Sequence, residues 1–524
     1  MGTIFDSIGI TLSGGGYKAS AFHLGTISYL HNLGVETNVK AMSTVSGGTV
    51  TGIAYILSLI EKKEFKSFFL DLYNFLKDVN MLEDTLEYLA FGKIEIPSNR
   101  KDMIVAASRV FNNSLVKKET GSYLFGDILD SKNHISEFII NTTELSYGLD
   151  FRFQKSEFLT MVGNKDISLP VKFARNIQLA DIVASSTCFP GALEPIAFPD
   201  DFTWKNNYVP PEIRDFFIKD GKPDPIGLMD GGIYDNQGIE SIMLADDRMD
   251  NSLDQIIVSD VDANSDNFYH YPKTKDVSDL NLGKVDLILK LVIFLCLATA
   301  TSTTYHLFAD IINKNFKFID AILNHIIPLL LSLSSTFIIL WLRGKIKDVI
   351  SSIPLIGNYA WRDIKWLTIN QIVEGLTLRV SSIFVVATKV ITKRVRTLVY
   401  KVFYNDEKYD KKRVSNLLET LAKGRVQPKL PAEVTKPSKK IVDMATSANK
   451  IETTAWIEKE SDLPLLITVG QFTICYNLIK YIVRVYGDDP QKYEKDIKQY
   501  WDKLVNDWNR LVVDTDLILK EFMD

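Results

Sequence analysis

The chain of 524 residues is short of the residues that build metal centres and disulfide frameworks. Its three cysteines, Cys188, Cys296 and Cys475, lie far apart and form neither a Cys-x-x-Cys pair nor a zinc spacing. That excludes a disulfide scaffold and fits a reducing, cytosolic setting. Histidine is also scarce, with six in all, and none stands in a metal-ligand pattern with acidic neighbours. No metal or other cofactor is expected. The first residues lack a basic stretch followed by a short apolar run, so no cleaved secretory signal is expected. There is no internal repeat and no low-complexity tract. A formal net charge of −5 gives no reason to expect a nucleic-acid partner.

Apolar residues, in contrast, are plentiful, at 46% of the chain, and two runs concentrate them. Residues 291–309 and 321–342 each approach the ~20 residues that cross a bilayer core as a helix. Lys284 and Lys290 precede the pair, whereas Arg343, Lys345 and Lys347 follow it. Basic flanks on both outer ends of an even number of spans predict a two-helix membrane hairpin over 286–345, with both ends on the cytoplasmic side. The polar stretch 263–285 reads as a linker. A third apolar run, 463–486, is interrupted by Gln471, Asn477, Lys480 and Arg484, so it is read as a helix covering a sheet. Residues 346–524 read as mostly helical, in part packed on the first domain. Within them, 384–450 holds 16 Lys and Arg against 6 Asp and Glu, and the apolar and basic residues of 366–403 suit either an anionic leaflet or a solvated helix edge.

The first third alternates strand and helix. "IGITL" (8–12) and "VKAMSTV" (39–45) are short apolar runs, each followed by glycines and helical spacing, at 20–34 and 49–63. Strand, helix, strand, helix predicts an α/β fold with a parallel sheet covered on both faces. Residues 1–262 form the first domain in this reading, with a helical insertion at 60–135.

Chemistry concentrates at the strand-to-helix junctions. Gly14, Gly15 and Gly16 follow the first strand, where missing side chains let an anion approach backbone N–H groups and a helix N-terminus. Gly14, Gly16 and Ala19 with Glu36 also suit a dinucleotide site. The glycines alone leave both readings open. Ser46, before Gly47 and Gly48, stands where a nucleophile elbow would project a hydroxyl; a plain helix cap is its other reading. A serine nucleophile needs a base. None of the six histidines, His23, His31, His134, His270, His306 and His325, is an obvious partner, since His23 and His31 fall inside the first helix and His306 and His325 in the apolar pair; Asp230, before Gly231 and Gly232, is another option, with a simple turn as its alternative. Asp260 and Asp262 read as solvated strand-end carboxylates.

In this order, "SGGGYKA", "STVSGG" and "DGG", with "ASSTCFPGALEPI" (184–196), resemble the patatin-like phospholipases. Ser13 and Ala19 replace the family's usual Asp and closing Gly in the first motif, and Thr44 replaces the first Gly of G-x-S-x-G. The resemblance covers about residues 6–262 and implies a three-layer patatin-like sheet, here in a bacterial-type member with an added apolar hairpin. It implies Ser46 as nucleophile, Asp230 as base, and an oxyanion hole at Gly14, Gly15 and Gly16. Lys18, Gly47, Pro190 and Gly191 would line the substrate, a membrane phospholipid. The activity implied is phospholipase A or lysophospholipase; a soluble esterase with an apolar lid and a lipid-binding scaffold are its rivals. A gate on such an activity is expected, with self-association into a homo-oligomer among the candidates.

Overall fold

The computed structural model describes residues 4–91, 102–190, 192–261, 279–314, 317–352 and 365–524. Asp262, His270 and Gly191, singled out in the sequence, lie outside them. Two compact units divide the chain, 1–266 with 388–524, and 267–387.

The first unit is built on one mixed sheet. Its strands are β1 (Ile8–Leu12), β2 (Val39–Val45), β3 (Glu137–Glu144), β4 (Leu149–Lys155), β5 (Ile226–Asp230), β6 (Gln255–Asp260) and β7 (Arg413–Leu417). They run in the order β7-β6-β1-β2-β3-β4, followed by two three-residue strands. The five from β7 to β3 are parallel, as the strand–helix alternation predicts. Against that expectation, β4 and β5 are antiparallel to β3, because a tight turn joins β3 to β4 and β5 enters from the opposite direction.

Period-two alternation divides the strands between two cores. Ile10, Leu12, Met42, Phe138, Ile140 and Ile257 join one core, whereas Ala41, Ile139, Ile256 and Val258 join the other. The large core takes α1 (Gly16–Leu33), α2 (Gly47–Ile60), α3 (Leu179–Thr187) and, from the far end of the chain, α4 (Asp462–Tyr486). On the other face, Ile239 and Ile242 of the helix Ile239–Arg248 pack with Phe403 of α5 (Thr392–Asn405). Helices therefore cover both faces of the sheet.

Helix α4 is long and apolar enough to cross a membrane, yet 89% of its most apolar window is buried in protein. It crosses α1 at two glycines. A Cβ on Gly25 would lie 2.1 Å from the Ile467 carbonyl oxygen, and one on Gly470 would lie 2.3 Å from that of Phe22. Close backbone approach fixes this contact, and the Gln471 amide nitrogen donates to Ser28 Oγ at 3.0 Å. The domain read as ending at 262 thus takes its outermost strand and a core helix from beyond residue 412. The expected insertion holds helices at Phe65–Asp78, Met81–Phe91, Met103–Ser114 and Phe125–Leu129.

In the second unit, the helices Leu282–Ile312 and Phe318–Lys345 have only 6% of their most apolar windows buried. Polar contacts sit at the two ends of the pair. Asp286 meets Lys290 at 2.7 Å and Arg343 at 2.8 Å, and Asp310 meets His325 at 3.0 Å. Between them, Thr299, Thr301 and Thr304 turn their hydroxyls back to carbonyls four residues earlier, which satisfies them without water.

Candidate active site

β2 delivers Ser46 and β5 delivers Asp230, and the register explains why they meet. β2 pairs with β3 as far as Val45 opposite Asn141. β4 occupies the other edge of β3, so β5 uses the β2 edge, beginning with Asp230 opposite Thr142. The carboxyl ends of β2 and β5 therefore abut. The Ser46 hydroxyl lies near enough to the Asp230 carboxyl to favour its ionised form.

Ser46 adopts φ 49° and ψ −120°, a conformation that costs a non-glycine residue of order 1–3 kcal/mol. Its surroundings hold it there. The Ser46 N–H donates to Ser186 Oγ at 3.2 Å, Ser186 donates to the Asn141 carbonyl at 2.8 Å, and Thr49 Oγ1 lies 2.8 Å from Ser186 Oγ. Asn141 in turn donates to the Thr44 carbonyl at 2.9 Å. Thr44 fits the strand end where a glycine was expected because its hydroxyl donates to the Ile139 carbonyl. Gly48 leaves no room for a side chain, since a Cβ would lie 2.1 Å from the Leu12 carbonyl oxygen.

Burial raises the pKa of Asp230; the Ser46 hydroxyl, the Gly232 N–H at 2.7 Å and the charge of Arg396 oppose that rise. Arg396 comes from α5 and donates through Nε to the Gly232 carbonyl at 2.7 Å. The 184–196 segment docks here too, where the Cys188 carbonyl accepts the Asp230 N–H at 3.0 Å. Pro190 lies in a bridge with Leu193.

The glycine loop lies beside Ser46. A Cβ on Gly14 would come within 3.1 Å of that of Ser46, and one on Gly47 within 2.1 Å of the Gly16 carbonyl oxygen. The Gly14 N–H is engaged, donating to the Asn236 carbonyl at 3.0 Å, so it differs from the donor expected there. The N–H groups of Gly15, Gly16 and Gly47 have no acceptor among the described residues. Ser13 secures the loop: its N–H donates to the Ser259 carbonyl and its own carbonyl accepts the Gly48 N–H, each at 3.1 Å.

Four further sequence expectations meet the structure here. Lys18, expected to face a head group, is buried, because Nζ donates to the carbonyls of Asn449 at 3.1 Å and Ile451 at 2.9 Å. The same C-terminal tract reaches the loop, where the Thr454 carbonyl accepts the Tyr17 N–H at 2.9 Å. Asp260, expected to be solvated, is buried and accepts from the Gln237 amide, which offsets part of the cost of its burial. His23 is structural as expected, with Nε2 3.0 Å from the Ser13 carbonyl, Nδ1 3.0 Å from Ser259 Oγ, and burial lowering its pKa to about 4. Glu36, the acidic residue of the dinucleotide reading, pairs with His31 at 3.1 Å. No cluster of three or more metal-binding side chains occurs among the described residues.

Sequence reasoning missed Ser186, Asn141, Asn236 and Arg396. Ser186 lies inside a segment already singled out, whereas Arg396, some 160 residues beyond Asp230, carries no local signal.

No curated protein matches the chain. Among solved structures, human GIVD cytosolic phospholipase A2 is similar at 13% identity over 48% of this chain and 45% of its own, with a TM-score of 0.34. The same human enzyme in complex with methyl gamma-linolenyl fluorophosphonate and terbium chloride is 15% identical over 35% of this chain and 30% of its own, at a TM-score of 0.28. The chain spans less than half the length of these neighbours. The model of the patatin-like phospholipase family matches residues 10–243, which hold the glycine loop, Ser46 and Asp230, and their α/β sheet with its flanking helices is the patatin fold.

Proposed function

We propose that the chain is a lipid acyl hydrolase of the phospholipase A or lysophospholipase type, working through a Ser46–Asp230 dyad at a membrane. The observation that carries this reading is the meeting of two strand ends that brings the Ser46 hydroxyl, at a strained strand-to-helix turn, beside the buried carboxyl of Asp230. The family match over 10–243 supports the lipid ester as substrate.

In the proposed course, Ser46 Oγ attacks the ester carbonyl carbon while its proton passes to Asp230. A short-lived tetrahedral oxyanion forms, and the N–H groups of Gly15, Gly16 and Gly47 donate to it; one such donor is worth ~10²–10³ in rate. Asp230 then protonates the departing alkoxide, which leaves as the alcohol or lysophospholipid, with the acyl group on Ser46. Water gives a proton to Asp230 and attacks the acyl carbon. The fatty acid departs as Ser46 recovers its proton. Burial of Asp230 serves this cycle, since a desolvated carboxylate is the stronger base. The two exposed apolar helices, Leu282–Ile312 and Phe318–Lys345, support a membrane-anchored enzyme that meets its substrate in place.

The test uses full-length protein in vesicles containing radiolabelled phospholipid. Wild type is expected to release fatty acid and to be labelled by a fluorophosphonate. Ser46→Ala should abolish both, and Asp230→Asn should abolish release. Hydrolysis that survives Ser46→Ala overturns the reading. Retention of the protein in the vesicle pellet after alkaline carbonate washing checks the anchor.

A further inference from the structure

Helix α5 presents two unlike faces. Arg396 and Phe403, seven residues apart, lie on the inner one: Arg396 holds the Gly232 carbonyl at 2.7 Å, and Phe403 is fully buried. Arg394, Leu398, Lys401 and Val402 follow the i, i+4, i+7, i+8 spacing of a single outer face. Leu398 is 52% exposed and Val402 59%, and just before α5, Val390 and Ile391 are 48% and 53% exposed. Arg394 and Lys401 are exposed among them. α5 contains no acidic residue, and the surrounding stretch 384–450 holds the 16 basic and 6 acidic side chains noted above.

A soluble helix and the turn that leads into it do not ordinarily keep four aliphatic side chains half in water. Interspersed with cations and without acids, they fit an occupant that is apolar below and negative at its surface. A bilayer leaflet rich in anionic lipid is such an occupant. A nucleic acid would engage the cations and leave the aliphatic groups wet, and a protein groove would favour aromatic anchors over a flat aliphatic strip.

We infer that the outer face of α5, with the turn just before it, is a docking surface for an anionic lipid leaflet, with Leu398 and Val402 of the helix and Val390 and Ile391 of the turn entering the headgroup boundary and Arg394 and Lys401 meeting the lipid charge. The inner face of the same helix, through Arg396, holds the loop that follows Asp230. The surface itself is independent of the chemistry at Ser46. Its importance for lipolysis rests on the proposed hydrolase.

The test uses the full chain with Cys296→Ser and Leu398→Cys, which leaves the introduced thiol as the only exposed one beside the buried Cys188 and Cys475. An environment-sensitive fluorophore is attached at position 398. The protein is reconstituted in vesicles of phosphatidylcholine, or of phosphatidylcholine with phosphatidylserine. With the anionic lipid, emission should shift to the blue and rise by about twofold or more, fall back in high salt, and stay low in Arg394→Glu/Lys401→Glu. Equal emission in the two vesicles, or a response indifferent to charge reversal, overturns the inference. Ser46→Ala should leave the response unchanged. A response without fatty-acid release from otherwise wild-type protein keeps the docking surface and removes the hydrolase; release without a response does the opposite.

Discussion

Val45 and Asp230 end two strands that run head-on along one edge of β3, facing its adjacent residues Asn141 and Thr142. Nothing but the next residue, Ser46, separates the end of one strand from the carboxylate that closes the other. Strand register thus sets where the two residues of the proposed dyad lie, and their tolerance to displacement should be small.

Replacing Asp230 probes that tolerance. Asp230→Asn keeps the shape and loses the proton acceptor, and should cost ~10³–10⁴ in kcat. Asp230→Glu keeps the acceptor but moves it by one methylene, and should cost ~10². Initial rates on a soluble ester measure both. Near-wild-type activity in Asp230→Asn would remove the base from the mechanism.

In the proposed course Asp230 must be ionised to accept the proton, and burial raises its pKa. Activity should therefore fall on acidification at a pH above the ordinary aspartate value of ~3.9. Arg396 favours the ionised form. In Arg396→Met the carboxylate loses a nearby cation, so the acid limb of kcat against pH should move to higher pH. An unmoved limb would show that Arg396 has no electrostatic part in the site.

Gly16 has φ +56°, and a Cβ there would lie 2.1 Å from the Thr454 carbonyl oxygen. Gly16→Ala should displace the tract 449–456 and the loop amides together, lowering kcat by ~10²–10³. Protease digestion should show faster cleavage near Thr454. A displaced tract with full activity would mean that this loop is not the oxyanion hole.

His23 stays neutral in the folded protein because burial lowers its pKa from 6.5 to about 4. An unfolded chain binds that proton below about 6.5. The folded state is therefore unpenalised above pH 6.5, loses stability as the pH falls toward 4, and changes little below that; the loss is about 3 kcal/mol at most. His134, also lowered to about 4, titrates in the same window. His23→Gln should retain hydrolysis and lessen, without abolishing, the drop in melting temperature between pH 7 and pH 4.5.

The parts of the site legible in the sequence are those whose backbone demands a residue type. Gly16 and Gly48 leave no space for a Cβ, and Ser46 sits between an apolar strand and glycines, so motif and geometry coincide. Ser186 and Asn141 escaped notice because a hydrogen bond between segments leaves no periodicity in either. Lys18 was misjudged for a related reason. Its acceptors, the carbonyls of Asn449 and Ile451, are more than 400 residues away and are backbone atoms that any residue could supply. Helix α4 was legible through its polar interruptions, which a lipid-facing helix would not tolerate. The strand β7 was not, being five residues of mixed polarity in a basic region.

That strand has a consequence for how the protein comes into being. A ribosome releases β6 with one edge bare, and its partner, Arg413–Leu417, emerges only after both lipid-seeking helices have been made. Newborn chains therefore carry an open template for aggregation throughout the interval in which the hairpin is synthesised. The same delay withholds Arg396 and the tract that clasps Lys18. The candidate site is in this way left without Arg396 until the two apolar helices already exist.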